Sequence, residues 1–149
     1  MIRFLRLALG VAAVALLVVG NVGTVAAGGP KILDARMAPL PTPGLVLDGV
    51  TGGGLPWVID EGHAMLFADG RLHVEVDGLV LAGTGSNPVT AGHAVVTCGG
   101  APIATTDNVP FSPDGNAEVD ATVALPSPCL APAVFFTTGT SRWLAVTGF

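Results

Sequence analysis

The side chains able to do chemistry are few: three histidines, two cysteines and eleven acids. Two of the histidines fall in one stretch, His63–Val76, HAMLFADGRLHVEV. If the residues flanking Ala68-Asp69-Gly70 are antiparallel strands, His63 faces Glu75 and sits diagonal to His73. Diagonal neighbours on a sheet face lie about 7–8 Å apart, within reach of long side chains. Two imidazoles and a carboxylate in that arrangement could hold Zn²⁺ or Cu²⁺. The plainer alternative is a solvated strand face on which His and Glu alternate. Met65 and Phe67 share that face and are apolar, which makes them a candidate binding surface. His93 would join the set if its strand paired alongside.

Other chemistry has less support. Ser86, Ser112, Ser127 and Ser141 each stand in a turn or loop, and none has the Gly-x-Ser-x-Gly spacing of a nucleophile elbow. No spacing favours a Ser-His-Asp set. Glu118 and Asp120 could be drawn as a carboxylate pair for glycoside hydrolysis. They alternate outward on a predicted strand, where exposed charge is the ordinary arrangement. Trp57 and Trp143 are read as core residues, because tryptophan is highly buried on average. The expectation is a protein without catalytic residues and without a cofactor.

The leader bounds the compartment. Arg3 and Arg6, the apolar run Leu7–Val19 and Val25-Ala26-Ala27 form the three parts of a secretory signal peptide over 1–27. An uncleaved anchor is the rival reading, but Gly20 and Asn21 break the run where a signal should break. The expected location is extracellular, with no membrane contact after cleavage. Lys31, Arg36, Arg71 and Arg142 then face 11 acids, a formal charge of −7. Nucleic acid and anionic lipid demand a basic patch, and none is visible. In an exported chain the two cysteines, Cys98 and Cys129, imply one disulfide. Closing that loop should stabilise the fold by roughly 3–4 kcal/mol on the chain-entropy model.

The elements that must position these residues read as short strands. A three-residue loop on a type I turn wants glycine last, where φ is positive. Ala68-Asp69-Gly70 fits, and sets Leu66 opposite Leu72 and Ala64 opposite Val74. Ala64, Leu66, Leu72, Val74 and Val76 then share the inner face. A slip of one residue would move a strand's apolar set to the other face. Residues 28–54 read as a flexible Pro- and Gly-rich lead-in, with an edge strand at Leu45-Val46-Leu47. Trp57-Val58-Ile59, Leu79-Val80-Leu81 and Ala91–Cys98 read as further strands. Gly99-Gly100 should pair Cys98 with Ala101 and Val96 with Ile103, with Pro102 keeping the return strand at an edge. Ser112–Asn116 repeats the Asp-Gly turn and should pair Phe111 with Ala117 and Val109 with Val119. Ala117–Val123 alternates without error, Ala133–Thr137 is apolar on both faces, and Arg142–Thr147 is the last strand. Residues 55–149 therefore read as one domain. The fold is all-β: an antiparallel β-sandwich, immunoglobulin-like in general build, with a small β-barrel as the alternative.

LPWVIDEGHAMLFADGRLHVEVDGLVLAG, NPV, VVTCGG, FSPDGNAEVDATVALPSPCLAPAVFF and WLAVTG together resemble a group of small secreted bacterial proteins, actinobacterial in type. The resemblance covers about Gly52–Gly148 and implies export and a single domain. The group has no known activity, so it brings no cofactor or functional residue. The functional expectation is a secreted, monomeric, non-catalytic module that binds a protein, an envelope polymer or a small ligand. The alternative is a small metal-binding or hydrolytic protein using the His63/His73/Glu75 face.

Overall fold

The computed structural model describes residues 28–148, so the export signal read at 1–27 lies outside the described residues. Thirteen strands follow in order. They begin with β1 (Lys31–Pro39), β2 (Val46–Leu47), β3 (Val50–Thr51), β4 (Trp57–Val58), β5 (Glu61–Phe67) and β6 (Arg71–Asp77). They continue with β7 (Val80–Leu81), β8 (Ala91–Cys98), β9 (Ala101–Thr105), β10 (Val109–Pro110), β11 (Ala117–Thr122), β12 (Ala133–Thr138) and β13 (Trp143–Thr147). No helix occurs among the described residues.

The hairpin forms in the expected register. His63 faces Glu75, Ala64 faces Val74 and Leu66 faces Leu72. Gly70 takes φ 88° and donates its N–H to the Phe67 carbonyl at 2.9 Å. Ala64, Leu66, Leu72, Val74 and Val76 are all buried, so the alternating pattern does select the core face.

The lead-in at 28–54 is a correction. Lys31–Pro39 is a nine-residue strand at the centre of the fold, not a flexible segment. Its first part pairs with β5 (Ala35 opposite Ala64) and its last part with β13 (Ala38 opposite Val146). β1 thus belongs to both halves of one curled antiparallel sheet, ordered β10-β8-β12-β13-β1-β5-β6-β11, with β9 also on β8. Leu40 follows it into the core and donates its N–H to the Leu144 carbonyl at 2.7 Å, which extends the pairing into the Pro-rich stretch. The edge strand expected near Leu45 is real but belongs to a separate small hairpin, β2 with β3, around Asp48-Gly49.

Two other pairings differ. The Ser112–Asn116 turn forms, with Gly115 at φ 86°, but its arms part. Val109 pairs with Gly92 of β8, while Val119 pairs with Val74 of β6. Pro110 has no N–H for a ladder. Phe111 turns inward, its ring 6.4 Å from Trp57 and 5.1 Å from Phe136. The turn is a corner between the halves rather than a hairpin. At Gly99-Gly100, Cys98 faces Ala101 as expected, but a bulge then sets Val96 opposite Ala104. Pro102 cannot sustain the ladder, and Ile103 is left as the extra residue.

One core fills the curl. Trp143, Phe135, Phe136, Leu66, Leu79 and Val119 are among its fully buried members, each side chain contributing roughly 1.5–3 kcal/mol of apolar burial. Both tryptophans are core, as their type suggested. Cys98 and Cys129 form the disulfide. It ties the end of β8 to the connection 123–132, which leads from β11 at one end of the sheet to β12 in the other half.

Candidate binding face

The outer face of β1, β5, β6 and β11 is built by register. Three rows cross it. Arg36, His63, Glu75 and Glu118 form the first, and Asp34, Met65, His73 and Asp120 the second. Lys31, Phe67, Arg71 and Thr122 form the third, at the hairpin's turn end. Period-two alternation puts these side chains outside because their neighbours are the buried set.

Local pairs organise the rows. His63 Nε2 lies 2.6 Å from Asp34 Oδ1, and Lys31 Nζ donates to Asp34 Oδ2 at 2.6 Å. Those two contacts hold the Asp34 carboxyl below its ordinary value, Lys31 first and His63 second. His73 Nδ1 lies 2.7 Å from Asp120 Oδ1 and 3.9 Å from Glu118 Oε1. Arg71 Nε donates to Asp69 Oδ2 at 2.9 Å, and the Gly29 N–H donates to the same oxygen at 2.9 Å. The Arg71 guanidinium, followed by the Gly29 N–H, lowers the Asp69 carboxyl to about 2.

Met65 in the second row and Phe67 in the third stand among these polar residues, and both are half-buried. The Arg71 guanidinium lies 4.1 Å from the Phe67 ring centroid, and Lys31 Nζ lies 6.0 Å away on the same ring. The cover Phe67 needed thus comes from cations of the same face, held by Asp69 and Asp34. Beside Phe67 runs an open groove of about 510 Å³, bordered by Arg71, His73, Asp120, Ala121 and Thr122.

The expected metal set is not gathered. Glu75 stands opposite His63, but the His63 ring engages Asp34 and the His73 ring engages Asp120. The ligand atoms that do converge, within 4.8 Å of one another, belong to His73, Glu118 and Asp120. All three are open to water, and a carboxylate already occupies His73 Nδ1. His93 lies elsewhere. It is buried on β8, with Nδ1 2.9 Å from Asn108 Oδ1 and Nε2 3.2 Å from Ser141 Oγ.

Sequence reasoning missed Asp34 as a member of this face. Its signal was present: Leu33-Asp34-Ala35-Arg36-Met37 alternates apolar and polar without a break. The pairing of Glu118 and Asp120 with the His73 strand had no such signal, because strand order is not written in local alternation. The chain matches no protein-family profile, no curated protein and no solved structure.

Proposed function

We propose that the chain is an exported β-sandwich module, of general immunoglobulin-like build, that binds a protein or envelope partner through the outer face of β1, β5, β6 and β11. The observation that carries this reading is Phe67. It is an aromatic ring set on a rigid sheet, pinned by Arg71 at 4.1 Å, at the turn end of a charged face and beside a groove. Aromatic and arginine side chains are the residue types that anchor interfaces. A four-stranded platform also holds them in place, so little ordering cost attends binding. The leader supports export, and the formal charge of −7 beyond it argues against nucleic acid as the partner.

The test is a pull-down with the mature protein against the producer's own envelope and secretome, run beside Phe67→Ala and Met65→Ala. Capture of a partner that both substitutions weaken supports the reading. Capture that is indifferent to both removes the face from it.

A further inference from the structure

Three turns in this protein share one geometry. In each, three residues close a turn, and the third donates its N–H back to the residue before them. Gly70 donates to Phe67 at 2.9 Å, Gly115 to Ser112 at 2.9 Å and Ser141 to Thr138 at 2.8 Å. The third residue has positive φ in every case: 88°, 86° and 62°. Glycine takes that conformation freely, whereas a side chain is strained there. The chain uses glycine twice and serine once. The serine is the one whose hydroxyl meets an imidazole, with Oγ 3.2 Å from His93 Nε2.

His93 is held for that contact. It is 4% exposed on β8, and its Nδ1 faces Asn108 Oδ1 at 2.9 Å. An amide oxygen accepts, so Nδ1 carries the proton and Nε2 keeps its lone pair toward Ser141. That is nucleophile, base and orienting group in series, the arrangement that activates a serine on unrelated folds. Ser141 and Arg142 also border an open groove of about 380 Å³ shared with Thr51, Val95 and Pro102. Arg142 is the only charged residue of that lining.

We propose that Ser141 is an acyl-accepting nucleophile with His93 as its base and Asn108 as the positioning residue, acting on small esters that enter the groove beside Arg142. Ser141 Oγ bonds to the ester carbonyl carbon as its proton passes to His93 Nε2. The carbon–oxygen bond to the alcohol breaks, and the departing alkoxide takes that proton. Water then repeats the sequence, which releases the carboxylic acid and restores the serine. Arg142 is the one positive charge in the groove lining that a developing carbonyl oxyanion could meet. This activity lies apart from the binding face and revises the expectation of a protein without a catalytic serine.

A serine that only satisfied a buried histidine would hold the same hydrogen bond and ignore an electrophile. The mature protein is therefore treated with diisopropyl fluorophosphate, where Ser141 Oγ displaces fluoride at phosphorus. The modified residue is located by mass spectrometry, and p-nitrophenyl acetate hydrolysis is followed in parallel. The expected result is one modification, at Ser141. Ser141→Gly should abolish both signals while the melting temperature stays near the parent's, because relief of the turn offsets the hydrogen bond lost from His93. Asn108→Ala should slow both at least tenfold, and Asn108→Asp, which keeps an acceptor on Nδ1, should restore them. No modification, or equal modification of the exposed Ser127, overturns the proposal. So does hydrolysis that persists in Ser141→Gly.

Discussion

The central carbon of the Arg71 guanidinium lies over Phe67, 4.1 Å from the ring centroid, and Asp69 holds it there by accepting a hydrogen bond from Nε. This gives Phe67 a double role. The cation covers one side of the ring, which moderates the cost of an apolar residue on a polar face, and the ring remains available beside the groove. Cation–π contacts at exposed sites contribute about 0.5–1 kcal/mol. With the lost partial burial, Phe67→Ala should destabilise the protein by about 1–2 kcal/mol in urea unfolding. Partner capture should fall at least tenfold in the same variant. A variant that loses stability alone would make Phe67 a packing residue.

Asp69 ties stability to acid. Its carboxyl is lowered to about 2, chiefly by Arg71. The unfolded chain keeps the ordinary carboxylate value of about 3.9. A depressed folded value means that the stabilisation is fully present above the unfolded value and is lost as pH falls through the folded one. Asp69→Asn should therefore melt below the parent at pH 5 to 7. The gap should close between about pH 4 and about pH 2. A gap that stays constant across that range would show that Asp69 acts through something other than its charge.

The hairpin and the disulfide could be read from the chain because both depend on near neighbours or on elimination. Alternation fixes which face of β5 and β6 is buried, Gly70 fixes the loop, and two cysteines have one possible pairing. β1 was hidden by its context. Its alternation over Leu33–Met37 is sound, but Pro39, Pro41 and Pro43 follow at once and suggest an extended, unpaired segment. In the fold those prolines come after the pairing with β5 is complete, and the ladder to β13 ends at Pro39. The parting of Val109 and Val119 was hidden for a different reason. A turn specifies a reversal of direction, not that the strands on either side will pair with each other. His93, Asn108 and Ser141 are gathered by β8, the β9–β10 connection and the β12–β13 turn, and nothing in their spacing announces that meeting.

Gly70 should be among the least replaceable residues. Its φ of 88° already disfavours a side chain. An added Cβ would also collide with the Val123 carbonyl, the neighbour that donates its N–H to the Gly70 carbonyl at 2.9 Å. Gly85 separates the two effects, since it has φ 65° and open space around it. Gly85→Ala should cost about 1 kcal/mol from backbone strain alone, and Gly70→Ala more than about 2 kcal/mol. Chemical denaturation of the two variants side by side checks this. Equal losses would mean that the Val123 collision relaxes freely.

The disulfide acts on a part of the chain that pairing does not secure. Cys129 stands on the connection 123–132, which has no strand of its own, and Leu130 beside it is largely exposed. Beside the disulfide one backbone contact helps: the Gly99 N–H donates to the Leu130 carbonyl at 2.6 Å. Removing the cross-link frees a loop of 31 residues' separation in the unfolded state. Cys98→Ala should accordingly lower stability by about 2–5 kcal/mol. The local effect should be larger than the global one. In native-state hydrogen exchange the Gly99 amide should lose protection before the β5 and β6 amides do, because the connection can lift away while the sheet stays paired. A thiol assay that finds two reactive cysteines in the native protein, or a variant that keeps Gly99 as protected as β5, would contradict this role.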